Sequence, residues 1–296
     1  MAWDWMLLAG PDTITEGPVW DGAGLLYTAI DHDEIRRYDP ATGAISTVFR
    51  DTRGANGLQM RPDGSLYACE GDGRAIVRYG PDGRREVLAD RFEGRRFNSP
   101  NDLALDDAGR IWFTDPRYDA DQAPRELDHD SVYRLDPPKP DMETDAWTVT
   151  RVTFDTTRPN GILLSADGAT LYVAQSDFHD GSIRQLRAYP IQPDASLGPV
   201  QVLHDFGDAR GIDGMCLDAD SNIVATCGWE LSGHGSRVAV FAQDGSVLEE
   251  HPLPDGRPSN CAFGGADLDQ LYVTTLDGRL YRTFLGRTGY RLAAPG

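Results

Sequence analysis

Residues 97–116 read FNSPNDLALDDAGRIWFTDP, and their internal order decides the fold. Asn101 leads. Leu103, Ala104 and Leu105 form an apolar triplet, Asp107, Ala108 and Gly109 supply a turn, and Ile111, Trp112 and Phe113 form a second apolar run. Two short apolar runs around a Gly/Asp turn predict a β-hairpin. The leading Asn puts a polar group where the first strand begins. A unit with so definite an order invites a search for copies of itself.

Five other segments fit. Glu16 precedes a strand ending at Trp20 and a run at Leu25 to Tyr27; Asn56 precedes Leu58 to Met60 and then Leu66 to Ala68. Asn160 precedes Ile162 to Leu164 and then Leu171 to Val173. Asp213 precedes Met215 to Leu217 and Ile223 to Ala225, and Asn260 precedes Cys261 to Phe263 and Leu271 to Val273. The leaders sit at 16, 56, 101, 160, 213 and 260, in steps of 40, 45, 59, 53 and 47 residues. Four-stranded propeller blades recur about every 40–50 residues. Each leader hairpin is followed by two further alternating segments, so the expectation is all-β: a six-bladed β-propeller of four-stranded antiparallel blades, one domain over residues 1–296. The run from Trp3 to Ala9 is predicted to close the ring as the outer strand of blade six, with Tyr290–Leu292 as its competitor. Closure removes an exposed sheet edge.

Composition narrows the function classes. The formal net charge is −19, and Lys139 is the single lysine among 28 basic residues. Such a surface repels nucleic acid and anionic membranes. The chain has no apolar run of about 18 residues, so no membrane helix is expected. The first residues lack a basic segment ahead of a short apolar one, which reads as no signal peptide. A cytoplasmic monomer is the expectation. Cys69, Cys216, Cys227 and Cys261 have no CxxC spacing and read as small buried hydrophobes. The six histidines share no ligand spacing, and no Gly-x-Ser-x-Gly elbow or phosphate loop is present. Three connections exceed what a hairpin needs: Arg117–Asp130, Pro137–Ala146 and Trp229–Ser236. Loops of that length are candidate binding loops or surface decoration.

Equivalent positions in successive blades fall at equivalent places around the axis. Glu16, Asn56, Asn101, Asn160, Asp213 and Asn260 are therefore expected to ring one mouth of the central channel, and every one offers a side-chain oxygen. Taken singly, an Asn or Asp before Gly is more often a turn residue. Each unit already has its turn elsewhere, however, and Glu16 is a poor turn former. Oxygen donors alone favour hard cations.

Several segments resemble the SMP-30/gluconolactonase/LRE-like family in order and over nearly the whole chain. They are EGPVW at 16–20, NSPNDLALDDAGRIWFTDP at 98–116, RPNGILLSADG at 158–168, GIDGMCLDAD at 211–220 and NCAFGG at 260–265. The resemblance is to the bacterial gluconolactonase branch. It implies a divalent-metal hydrolase that opens a sugar lactone to the aldonic acid. Carried over by motif, Glu16, Asn160 and Asp213 would be metal ligands and Asn101 a polar group beside metal and substrate. Asn56, Asn260 and Asp115 are further substrate-binding candidates. Ca²⁺ is the first choice of ion, with Mg²⁺, Mn²⁺ or Zn²⁺ as alternatives. Many relatives of the mammalian type carry Arg two residues before the Asn101 position; here it is Ser99, with Arg95 and Arg96 upstream. Asp213 or the cation would activate the attacking water, and Asn101 would orient water or substrate. Organophosphate or aryl-ester hydrolysis on the same site and a non-catalytic binding propeller are the alternatives.

Overall fold

The alternating segments form six four-stranded antiparallel sheets among the described residues. The structure is a computed structural model that describes residues 3–118, 124–138, 146–179 and 181–291. The innermost strands are Thr15–Trp20, Ala55–Met60, Leu103–Leu105, Pro159–Leu164, Ile212–Leu217 and Pro258–Gly264, one per blade. In the first five blades the chain runs outward from each by consecutive hairpins, and in the sixth the outermost place goes to an N-terminal strand. Helix is confined, among these residues, to one 3₁₀ turn at Ile30–His32.

The core is distributed between blades. One apolar cluster joins Leu186 and Phe206 of blade four to Ile212 and Phe241 of blade five. Another joins Ile35 of blade one to Leu58 and Val77 of blade two. The cycle closes where Leu25 and Tyr27 of blade one meet Tyr272 and Leu280 of blade six. Burying each large apolar side chain contributes about 1.5–3 kcal/mol. Because the partner atoms belong to the neighbouring blade, no sheet can collect that contribution alone.

Met6–Ala9 is the fourth strand of the sheet holding blade six, with Leu7 opposite Tyr281 and Ala9 opposite Leu280. Behind it, Trp5 donates from its indole to Pro252 O at 2.9 Å, and Trp3 stacks on His251. Tyr290 goes elsewhere: its N–H reaches Leu217 O and its hydroxyl reaches Ala166 O, both at 3.0 Å. It therefore bridges the end of the inner strand of blade five to the turn that follows the inner strand of blade four, while Leu292 lies outside the described residues.

One expected loop is strand. Trp229–Ser236 was expected to be an irregular connection; instead Ile223–Trp229 and Ser232–Phe241 extend the hairpin, with Trp229 opposite Ser232. Gly228, Gly233 and Gly235 adopt positive φ and let the long ribbon bulge and reverse. Residues 119–123 of the Arg117–Asp130 connection and residues 139–145 of Pro137–Ala146 lie outside the described residues. What is described of the first is tied down: Arg117 N–H and Arg125 both bond Asp130, at 2.9 and 2.5 Å.

Candidate active site

In five of the six inner strands the pairing slips at the leader. The irregularities fall between Glu16 and Val19, Ala55 and Leu58, Pro159 and Ile162, Ile212 and Met215, and Pro258 and Cys261. A β-bulge bends the strand and re-aims a side chain. The bulge thus explains how Glu16, Asn56, Asn160, Asp213 and Asn260 escape the alternation that would send them into a blade interface. Blade three does it differently: Asn101 N–H bonds Thr114 O just before its short strand begins.

Gly17, Gly57, Gly161 and Gly214 follow the leader in four blades. The reason is contact with the next blade. A Cβ on Gly17, whose φ is +50°, would stand 2.2 Å from Asn56 O. One on Gly161 would stand 2.4 Å from Asp213 O. Leader-to-glycine contact draws the ring tight around the axis. It is closed between the last blade and the first by a hydrogen bond from Asn260 Nδ2 to Glu16 Oε2 at 3.1 Å.

The result is a concentration of buried negative charge. Glu16, Asp213, Asn101 and Asn260 are buried, and Asn56 and Asn160 are half-buried. Burial, with Asp213 and Asp102 nearby, pushes Glu16 well above the usual carboxylate range. Burial also raises Asp213, opposed by the Arg210 guanidinium, the Asn160 carboxamide and Arg257. Arg210 makes an ion pair with Asp213 and donates to Gly228 O and Pro258 O, tying blade five to blade six above the ring. Three carboxylates held together against water repel one another, and a divalent cation is the counter-charge that such a set accommodates. The oxygen-only donor chemistry fits a hard cation. No group of three His, Cys, Asp or Glu in metal-holding geometry occurs among the described residues, so a cation held here would need carboxamide oxygens as well as carboxylates.

Asp102 was missed in the sequence. It occupies the slot that Gly fills in four other blades, and that exchange was the available signal. Its Oδ1 accepts Leu103 N–H at 2.8 Å, and burial pushes its carboxyl up to about 7. Asp102 and Asn260 are among the residues lining a channel cavity of about 790 Å³ that runs between the inner strands. Tyr118 was missed too: its hydroxyl accepts Asn101 Nδ2 at 2.7 Å.

Asp115 stands apart from the ring. It is fully buried, and its two oxygens accept the N–H groups of Asn98 and Ser99 at 2.9 Å each. It shapes the turn that delivers Asn101. Arg96 donates to Gly73 O, while Arg95 lines a groove with Phe92 and Phe154 beside the outer strand of blade three. Cys216 and Cys261 approach to 3.6 Å between blades five and six as free thiols.

Comparison with known proteins fits this geometry. The family model for the SMP-30/Gluconolactonase/LRE-like region matches residues 14–277. A gluconolactonase of Zymomonas mobilis is 32% identical over 278 residues, covering 84% of this chain and 73% of that protein. A pentonolactonase of Haloferax volcanii is 31% identical, over 89% of this chain and 81% of its own length. Among solved structures, a gluconolactonase of Xanthomonas campestris superposes with a TM-score of 0.81 at 30% identity, covering 96% of this chain and 90% of that one.

Proposed function

The chain belongs to the SMP-30/gluconolactonase/LRE-like family, and from that premise we propose that it is a divalent-cation-dependent hydrolase opening a sugar lactone to the aldonic acid. The observation that carries the reading is the ring of side-chain oxygens in which Glu16 and Asp213 are both buried, with the Asp213 charge helping to raise the Glu16 carboxyl. Lactonases among its relatives support the reaction class.

Glu16, Asn160 and Asp213 are assigned as the protein donors to the cation. Ca²⁺ is the first choice, because the donors are all oxygen and each of the six leaders carries a side-chain oxygen. When bound, the cation supplies Lewis acidity at the lactone carbonyl oxygen. Asp213 is assigned the second task of taking the proton from the attacking water as the oxygen–carbon bond forms. Its pair with Arg210 fixes the carboxylate's orientation, and burial keeps its basicity from falling as far as that pair would take it. Collapse of the tetrahedral centre breaks the ring carbon–oxygen bond, and the departing ring oxygen takes up a proton to become a hydroxyl. Asn101, held by Tyr118, orients the water or the carbonyl. Asn56 and Asn260 complete the rim that meets the sugar hydroxyls.

The test is proton release from a panel of sugar lactones by chelator-stripped protein, then with Ca²⁺, Mg²⁺, Mn²⁺ or Zn²⁺ restored, after subtraction of spontaneous opening. Cation-dependent acceleration on lactones and none on a phosphotriester is expected. Stoichiometric cation binding without acceleration on any lactone would remove the reaction and leave the site.

A further inference from the structure

The segments leading into the inner strands carry a second repeat. Three residues before the leader stands Arg53 in blade two, Arg210 in blade five and Arg257 in blade six; in blade four Arg158 stands two before. The chain enters every inner strand from the face on which the leaders lie, so these four arginines are placed on that same face. A chain with a net charge of −19 has thus set four of its cations around one opening.

Arg210 is engaged with Asp213 and Arg158 is buried, which leaves Arg257 and Arg53 exposed. Arg257 is exposed and lies over the Trp229 ring at 5.3 Å, near enough to Asp213 for its charge to stabilise that carboxylate. Arg158 lies over Phe178 at 4.0 Å and over Tyr118 at 5.7 Å, and Tyr118 bonds Asn101 of the ring. Arg53 is exposed, with φ of +54°. Among the described residues neither Arg53 nor Arg257 makes an ion pair, whereas several acids of the same face are already engaged. Asp255 and Asp277 pair with Arg279, and Asp12 pairs with Arg36. An aromatic platform beneath a guanidinium restricts it while leaving its N–H edge open to an anion.

We infer that the arginines above the ring select a sugar lactone bearing an anionic group at the end remote from its carbonyl, with Arg257 on Trp229 as the principal contact. The inference rests on the lactonase reading of the ring. With the lactone carbonyl at the oxygen ring, the far end of the sugar would point toward the face from which the chain enters the inner strands, where the exposed Arg257 and Arg53 stand. A guanidinium matches the planar or tetrahedral oxygens of a carboxylate, phosphate or sulfonate. The same field steers an anion toward a mouth that the rest of the acidic surface would repel.

The experiment compares kcat/KM for D-gluconolactone and for D-gluconolactone phosphorylated on its terminal hydroxyl, in wild type and in Arg257→Gln, with the cation present. Wild type is expected to favour the phosphorylated lactone by about tenfold or more, since hydrogen bonds to charged groups are the stronger class. Arg257→Gln is expected to collapse that ratio, mainly through KM for the phosphorylated substrate, and added salt to narrow it. Equal use of both lactones, or a ratio that Arg257→Gln leaves intact, overturns the inference and keeps the lactonase. Opening of neither lactone overturns the lactonase reading and the inference with it. Arg257 is exposed, so its replacement leaves the packed core untouched.

Discussion

Asn260 donates from Nδ2 to Glu16 Oε2 at 3.1 Å, joining residues 244 positions apart across the seam between the last blade and the first. The same Glu16 oxygen accepts Gly17 N–H at 2.9 Å. Two donors to one oxygen fix the carboxylate's plane and leave Oε1 directed away from them. Asn260→Ala should therefore weaken cation binding without removing a ligand. The expected loss in affinity is about 10–100-fold, the range found when an orienting partner of a metal ligand is removed. Calorimetric titration with Ca²⁺ checks it, and unchanged affinity would detach Asn260 from the site.

Asp213 is assigned two tasks in the proposed reaction, and one substitution separates them. Asp213→Asn keeps an oxygen for the cation but cannot take a proton from water. The expected result is kcat lower by about 10²–10⁴-fold with cation binding weakened but measurable. Chelation should abolish wild-type turnover, and restored cation should recover it in wild type alone. If Asp213→Asn retains most of the wild-type kcat, the proton acceptor lies elsewhere in the ring.

Gly17 is where fold and site share one residue. Its φ of +50° disfavours any side chain, and an added Cβ would stand 2.2 Å from Asn56 O, a backbone atom with little freedom to retreat. Gly17→Ala should cost about 1–3 kcal/mol, as overpacking does elsewhere. Because the displaced backbone flanks both Glu16 and Asn56, cation affinity should fall with the urea midpoint. A stable variant with intact binding would contradict the contact.

The legibility of this site in the sequence follows from its repetition. Six leaders at blade-length spacing announce a ring because a period survives translation into a circle. The bulges beneath Glu16, Asn160 and Asp213 did not show, since a bulge is a property of pairing rather than of composition. Asp102 was hidden by its place in the repeat: a residue that replaces Gly in one blade reads as variation until the neighbouring backbone is seen. Arg210 was hidden because its partner Asp213 was already assigned to the cation. The Trp229–Ser236 ribbon reads as a loop since Gly and polar residues dominate it, yet cross-strand pairing overrides that composition.

Asp115 predicts a pH dependence that can be isolated. Burial pushes its carboxyl up to about 8, against the pull of the Asn98 and Ser99 N–H groups and of Arg74. A carboxyl whose folded pKa exceeds its unfolded value holds its proton in the native state while the unfolded chain has released it. Between the unfolded value of 3.8 and about 8, its contribution to stability therefore falls as pH rises. The slope is at most about 1.4 kcal/mol per pH unit, and it flattens above the folded value. Asp115→Asn removes the titration but leaves one oxygen for two backbone N–H groups, which costs about 1–3 kcal/mol at low pH. The penalty should shrink steadily as pH rises through that window, because wild type alone loses stability there. Urea midpoints of both proteins across the window decide the matter: parallel curves would mean that Asp115 titrates at an ordinary value, held ionised by its two N–H donors.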